Sequence, residues 1–540
     1  MTDVQKTNKP LFSQHYLDHR IQECSEWQLD VVGKFEILKK LYLSKKDLLP
    51  KLSEAQTEAE FIRPVLDILG FSNIPQVTTR GKGRAERPDY ALFTSESDRD
   101  SAYPLQDQET AFYARVSAIA EAKYWERALS KASANDQRDI YKNANPSFQI
   151  TNYLTGTGVD WGILTNGREW RLYYRLASST ATEFYQVDLV ELLESQDEDK
   201  LEKFKYFWLF FCGDSFVKDP QGRNFLERVR EGSNTYATQV GKELKALVFE
   251  QVFPNIAGGF AANACRFQHQ VTSEEIYEAT LSFLYKILFL LYAEARNLLP
   301  INSDYRDHSL IKISQAIAQG IETKKRFSQT STGFYDLLLN LFQIIDRGDP
   351  SLDVPRYNGG LFHFDFNQAD DQVEYPANHF LFRFKLSDAV LAPALDKLAR
   401  FEGLPIDYSF LGVRQLGSIY EGLLEYRVVI DNAEKGEVHL ENDKGDRKST
   451  GSYYTPDYIV KYIVSHTLKP ILEKRSQRFS ELMTEIDHLH QQLQDKRLGV
   501  QSRNGIQKDL QRLGREAQTT LLDIKAVSYT HLTLPTNREV

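Results

Sequence analysis

Two spacings of apolar residues alternate along the chain and predict its elements. Residues 13–45 mix charged and apolar positions at helical spacing and read as a helical arm. Residues 53–70 (SEAQTEAEFIRPVLDILG) predict an amphipathic helix, with Ser53 as N-cap, acids in the first turns and Gly70 as the stop. Strand patterns follow at Tyr90–Phe93 and Phe112–Tyr124, separated by a polar stretch, Thr94–Thr110. A stretch rich in Lys, Asn and Asp (126–146) reads as helix or loop. In residues 161–175 (WGILTNGREWRLYYR), Asn166-Gly167 lies between two runs of bulky apolar residues, which predicts a hairpin with a two-residue type I′ turn.

From about 196 to 400 the spacing is mostly helical, and residues 201–216 and 274–300 are rich in Leu, Phe and Tyr. The most apolar window, Ala279–Ala293, is interrupted by Lys286 and is too short to span a membrane, so it predicts a buried helix. Tyr357–Gly360 reads as a turn, Gly412–Tyr426 as a helix and Asp431–Ser449 as a polar hairpin or loop. Residues 468–522 are charged and helical. Phe479, Leu482, Ile486, Leu489 and Leu493 form a heptad-like seam, Gly499–Gly505 interrupts it, and Ile506, Leu510, Leu513 and Ala517 resume it. The predicted class is mixed: an α/β unit over 50–195 behind a helical arm (1–49), an all-α connector (196–404), and a region from 405 to 525 containing an antiparallel helical hairpin, 468–522.

Composition narrows this picture. The 540 residues suggest roughly three to four domains. With 41% hydrophobic and 26% charged residues the chain is no collagen, wholly disordered or membrane-embedded protein. The net charge of −9 gives no encouragement for nucleic-acid binding, although partners meet local patches rather than totals. Cys24, Cys212 and Cys265 are too widely spaced for a metal site and too few for a disulfide scaffold. Met1–Pro10 lacks the apolar core of a signal peptide. A cytoplasmic protein without a membrane partner is the expectation.

The sharpest chemistry lies between Pro88 and Lys123. Pro88-Asp89 opens one predicted strand and Glu121-Ala122-Lys123 ends the next. Glu121 and Lys123, two apart, project from one face of a strand, and pairing of the two strands would bring Asp89 to them. Two carboxylates suit a hard cation such as Mg²⁺, which neutralises phosphate charge and activates water. A neighbouring lysine can orient or deprotonate that water. The basic run Arg80, Lys82, Arg84 and Arg87 just before Asp89 suits a phosphate backbone. A second cluster, Lys448–Pro456 (KSTGSYYTP), is a Gly/Ser turn entering a helix, with Thr455 as N-cap and Pro456 at the first helical position.

Residues 50–175 resemble the PD-(D/E)XK nuclease superfamily, in the form found at the N-terminus of restriction enzymes. The resemblance rests on Phe61-Ile62-Arg63-Pro64, Leu69-Gly70, Arg87-Pro88-Asp89-Tyr90, Ala120-Glu121-Ala122-Lys123 and the strand leading into Asn166-Gly167. It implies Asp89, Glu121 and Lys123 as catalytic residues, with Mg²⁺ on Asp89 and Glu121. Gln149 and Tyr153 match a Gln-x-x-x-Tyr motif that some members place beside the site. Glu58 on the first helix is a candidate third metal ligand, with Glu54 and Glu60 competing for that role.

Gly451, Tyr453, Tyr454, Thr455 and Pro456 resemble the stretch that opens the catalytic domain of adenine-specific DNA methyltransferases and contacts S-adenosylmethionine. Leu416–Glu425, Tyr357–Phe362 and the run Leu291–Glu294 with Leu298–Pro300 are similar to the same enzymes. Together the motifs resemble single-chain type IIG/IIL restriction–modification enzymes acting on double-stranded DNA, and imply a Rossmann-like methyltransferase domain beginning near residue 405. The chain departs from that pattern. It has no Gly-rich cofactor loop after a strand and no Asn/Asp-Pro-Pro-aromatic motif for a flipped adenine. Residues 526–540 resemble a translated sequencing adapter, which predicts a foreign tail after Lys525, so His531 takes no catalytic reading. The competing expectation is a DNA-binding or assembly module with a degenerate nuclease fold. An ATP-driven restriction subunit ranks last, because no GxxxxGK[ST] occurs.

Overall fold

The structure, a computed structural model, describes residues 6–75, 88–130, 145–177, 181–300, 303–357, 359–363, 375–424, 426–442, 457–493 and 500–522. These residues form two compact units, one ending at residue 442 and one over 457–522. The fold is mixed α/β, with one seven-stranded sheet and many helices.

The sheet belongs to the first unit. Its strands are β1 (Lys6–Lys9), β2 (Ser72–Pro75), β3 (Tyr90–Phe93), β4 (Ala118–Ala122), β5 (Trp161–Thr165), β6 (Glu169–Tyr174) and β7 (Phe184–Asp188), in the order β1-β7-β6-β5-β4-β3-β2. Only β4 and β5 are parallel, and the crossover between them carries the helix Pro146–Thr157. β3, β4 and β5 are buried throughout, as expected for strands covered on both faces. Successive side chains alternate between two apolar layers. Trp161, Ile163, Trp170 and Leu172 meet Phe35, Phe204 and Phe207 on one face. Ala91, Phe93, Ile119, Leu164 and Tyr173 meet Ile150, Tyr153 and Leu154 on the other.

The expected arm is part of this core. β1 pairs with β7, and Leu11, Phe12, Leu17, Ile21, Trp27 and Leu38 are buried in the layer that covers the sheet. The helix predicted over 53–70 is present. Ser53 Oγ accepts from Gln56 N while Gln56 Oε1 accepts from Ser53 N, a reciprocal cap, and Gly70 ends the helical run at φ +88°.

Two local expectations are corrected, and the polar stretch gains an element. The strand expected at Phe112–Tyr124 is shorter: Glu109–Tyr113 is helical, and only Ala118–Ala122 joins the sheet. Phe112 and Tyr113 bury their rings equally well from a helix, and a short apolar run does not discriminate the two. The polar stretch Thr94–Thr110 contains a helix, Glu96–Ala102, capped by Ser95. The hairpin at Asn166-Gly167 forms, but not with a type I′ turn, because Asn166 does not take a positive φ. Its side chain instead accepts from Arg168 N at 3.0 Å and Glu169 N at 2.7 Å. Gly167 (φ +86°) is needed for space too, since a Cβ there would lie 2.9 Å from the Trp125 ring.

Among the described residues from 200 to 400 the regular elements are helices, apart from the two-residue strand that begins at Arg400 (Arg400–Phe401), and they pack around the helix Ser273–Ala295. Its 23 residues exceed the apolar window read from the sequence. Length and composition alone would let it cross a membrane, but it runs through the largest apolar cluster. The polar hairpin expected over Asp431–Ser449 begins earlier, as Tyr426–Asn432 paired with Glu437–Asn442, and residues 443–449 lie outside the described residues. The hairpin packs so closely on the helix Phe253–Arg266 that a Cβ on Gly258 would meet Gly436 O at 2.1 Å.

The second unit is a helical hairpin, Asp457–Leu493 with Val500–Leu522. Leu482, Leu513 and Ala517 are buried along the predicted seam, with Phe479, Ile486 and Leu489 packed around them. The second helix already contains Gly505, so the interruption expected over Gly499–Gly505 is shorter than predicted.

Glu294 shows how the connector joins its helices. This buried carboxylate accepts from Leu310 N (2.8 Å), Ile311 N (2.9 Å) and Tyr305 Oη (2.9 Å), capping the helix Leu310–Glu322 from a distance. Replacement by Ala takes the acceptor from three donors at once, two of them buried. Glu294→Ala is expected to lower stability by about 2–4 kcal/mol in urea unfolding, with a smaller loss for Glu294→Gln.

Candidate active site

Register builds the site. Tyr90 pairs with Ala120 and Leu92 with Ala118, so Asp89, one residue before β3, falls beside the end of β4. There Ala122 N donates to Asp89 Oδ2 at 2.8 Å. Beyond β4, Lys123 N donates to Thr165 O at 2.8 Å, which extends the hold of β5 on the strand end. Glu121 and Lys123 share one face, and Lys123 Nζ donates to Glu121 Oε1 at 2.6 Å with both side chains at most 2% exposed. The structure therefore brings Asp89, Glu121 and Lys123 together.

Their electrostatics are strongly coupled. Burial pushes the Asp89 carboxyl up to about 6; Glu58 adds to the rise, and Lys123 and the Ala122 amide oppose it. Burial and the Asp89 charge push Glu121 well above the usual carboxylate range despite Lys123. Burial works against the Lys123 ammonium, but Glu121, Glu54 and Asp89 outweigh it and hold the lysine above its ordinary value. Lys123 is thus a fixed cation among carboxylates. Glu121 Oε2 is buried and accepts no hydrogen bond.

The three acids of the first helix separate clearly. Glu58 Oε2 accepts from Tyr90 Oη at 2.5 Å and acts on Asp89 from there. Glu60 turns away to an ion pair with Lys45. Glu54, buried at the first turn, is the one whose charge reaches Glu121 and Lys123. Sequence spacing left these three open, because the choice depends on how the helix is rotated against the sheet. Among the described residues no three Asp, Glu, His or Cys side chains converge as a ready-made cation cage. The donor set that fits a divalent cation is the pair Asp89 and Glu121, two carboxyl groups whose electrostatics are coupled beside the end of β4.

Gln149 and Tyr153 lie on the crossover helix, in the layer that also holds Ile119 of β4. Gln149 Nε2 donates to Tyr153 Oη at 2.7 Å, so the two form a pair of their own. Arg171 of β6 was invisible in the sequence. Buried against the Phe184 ring, it donates from Nη1 to Ser130 Oγ (2.6 Å) and Ser147 Oγ (3.1 Å) and from Nε to Gln186 Oε1 (2.6 Å). Ser147 starts the Gln149 helix, so Arg171 fixes that helix on the sheet. An alternating strand conceals such a role, since an inward arginine breaks the apolar pattern. Arg80, Lys82, Arg84, Arg87, Gly451, Tyr453, Tyr454, Thr455 and Pro456 lie outside the described residues.

A Methanocaldococcus jannaschii protein that carries the provisional name type II restriction enzyme and methyltransferase is 24% identical to this chain over 506 residues. The chain is a distant homologue of a restriction–modification protein. The match covers 83% of the chain and 36% of the relative, so the chain spans about a third of that protein's length. No family model and no solved structure matches the chain.

The charge arrangement has a thermodynamic signature. A carboxyl raised above its unfolded value makes the folded state bind the extra proton, so Asp89 lowers stability as pH rises from about 4 to about 6, and the cost persists above that. With chelator present, Asp89→Asn is expected to raise the thermal midpoint at pH 8 by about 2 °C, since the amide oxygen still accepts from Ala122 N. The gain should vanish near pH 4 in the same melting experiment.

Proposed function

We propose that the first unit contains a Mg²⁺-dependent DNA endonuclease site of the PD-(D/E)XK kind. The observation that carries this reading is the meeting of Asp89, Glu121 and Lys123 at one strand end, with Glu121 and Lys123 buried and Asp89 half-buried beside them. Asp89 and Glu121 are the residues that would hold the cation, and the cation supplies phosphate neutralisation and an activated water. Asp89 is held for this by the Ala122 amide, and Glu58 positions Tyr90 behind it. Lys123, kept cationic by its neighbours, donates hydrogen bonds to the attacking water or a phosphate oxygen rather than removing a proton. Gln149 and Tyr153 flank this face from the crossover helix.

In this reading the chain corresponds to the nuclease-bearing part of a cytoplasmic restriction–modification protein that cuts double-stranded DNA and methylates adenine at N6. Residues 50–195 serve as the nuclease domain, 196–404 as the helical connector and 405–525 as the entry to a Rossmann-like methyltransferase domain. Gly451, Tyr453, Tyr454, Thr455 and Pro456 would contribute to S-adenosylmethionine binding. The similarity to a restriction and methylation protein over most of the chain supports this assignment. The cofactor loop and the adenine motif are not among these 540 residues, so methyl transfer needs residues they do not supply.

Two measurements test the proposal. Plasmid cleavage in Mg²⁺ should fall at least about 100-fold in Lys123→Ala and stop with EDTA. Equal cleavage by wild type and variant, or none by either, would favour a DNA-binding module with a degenerate nuclease fold. Tritiated methyl transfer from S-adenosylmethionine to DNA should be blank for the 540-residue chain, and detectable transfer would overturn the domain assignment.

A further inference from the structure

Sheet register places a second cation on the face that carries Glu121. Glu121 of β4 lies opposite Leu164 of β5, Leu164 opposite Arg171 of β6, and Arg171 opposite Gln186 of β7. The four form one row across the sheet, and residues in a row project to the same side. Arg171 is therefore two strands, about 10 Å, from Glu121. Leu164 of that row packs in the layer that contains Ile150, Tyr153 and Leu154 of the crossover helix Pro146–Thr157. Arg171 itself is buried and acts through what it holds.

It holds the start of that helix and the chain that follows Lys123. Nη1 donates to both Ser130 Oγ (2.6 Å) and Ser147 Oγ (3.1 Å). Ser147 Oγ in turn donates to Leu129 O at 2.7 Å and accepts from Tyr173 Oη at 2.9 Å. Asn145 Nδ2 donates to Ser130 O at 3.1 Å, and Asn145 Oδ1 accepts from Ser147 N at 3.1 Å. Residues 129–130 and 145–147 are thus joined side by side, and Arg171 ties both to the row of Glu121. Gln186 Oε1 on Nε and the Phe184 ring beneath the guanidinium fix the direction of its fork. The rest of the helix meets the sheet through apolar contact. Ile150 and Leu154 lie so close over Gly162 that a Cβ there would meet them at 3.1–3.2 Å. Such contact is non-directional: it holds the helix down without fixing its slide or rotation.

We propose, on the nuclease reading of that face, that Arg171 is a positioning residue for cleavage: it sets the slide and rotation of the crossover helix. Gln149 and Tyr153 follow Ser147 by two and six residues on that helix and are bonded to each other. Their placement against Asp89, Glu121 and Lys123 therefore depends on the tie at Ser147.

Arg171→Met keeps a long apolar side chain over Phe184 and removes the fork. In Mg²⁺-dependent plasmid cleavage by the 540-residue protein, its kcat should fall about 10- to 100-fold while KM for DNA stays within about threefold. Arg171→Lys keeps the charge but cannot span two hydroxyls, and should lose activity as well. In a Gln149→Ala background, Arg171→Met should cost less than about twofold more, because it acts through the same helix. Wild-type kcat in Arg171→Met, recovery in Arg171→Lys, or a fully multiplicative loss in the double variant would overturn the proposal. Amide exchange over residues 149–155 reads the tie without cleavage. It should quicken about tenfold in Arg171→Met while the amides of β4 and β5 keep their rates. A wild type that does not cut overturns the nuclease reading, and unchanged exchange over 149–155 overturns the tie. Should Arg171→Met fail to fold, Ser147→Ala removes the node, leaves the arginine, and is held to the same outcomes in both measurements.

Discussion

The antiparallel register of β3 on β4 is the constraint on which the site depends. With Tyr90 opposite Ala120, Asp89 reaches the amide of Ala122, and Glu121 and Lys123 emerge beside it on one face. A slip of one residue would turn Glu121 and Lys123 to the opposite layer and bring Ala120 and Ala122 into their place. The register is secured from both sides. Leu92, Ala118 and Ala120 are committed to one apolar layer, while Ala91, Phe93 and Ile119 are committed to the other. The parallel neighbour β5 holds the strand end through Thr165 O. The two packed layers thus fix the geometry of three polar residues that contribute nothing to the packing themselves.

How much of this could be read beforehand depended on distance along the chain. Ser53 and Gly70 delimit their helix through contacts a few residues away, and both were legible. So were the β5–β6 hairpin and the seam of Leu482, Leu513 and Ala517, each of which follows from spacing alone. Asp89, Glu121 and Lys123 were legible as a motif, and their meeting followed once two strands were assumed to pair. What spacing could not supply was long-range. β1 joins β7 across most of the first unit's α/β part, so the first residues looked like an arm when they are an edge strand and core. How the acids of the first helix meet the site is a matter of helix rotation: Glu54 acts on Glu121 and Lys123, while Glu58 accepts from Tyr90 Oη and acts on Asp89. Arg171 was missed for the same reason: its partners Ser130, Ser147 and Gln186 come from three separate segments.

Three of the buried charged groups in the first unit are accommodated in three different ways. Glu294 meets backbone amides at a helix start together with a tyrosine hydroxyl, so its charge meets a fixed dipole. Lys286 meets only neutral oxygens, which offset its burial through two hydrogen bonds and bring no opposite charge. Glu121 and Lys123 meet each other, yet Asp89 and Glu54 add further negative charge around them. The first arrangement is a structural joint, because every acceptor lobe in use is answered by a donor that the fold supplies. The third is different. Three carboxyl groups surround one lysine, burial raises two of them, and among the described residues no group donates to the second oxygen of Glu121. A merely structural ion pair gains nothing from that surplus, since desolvating extra carboxylates costs stability without adding attraction. The proposed cation site rests on this surplus of carboxyl groups at the strand end, which the joint at Glu294 does not have.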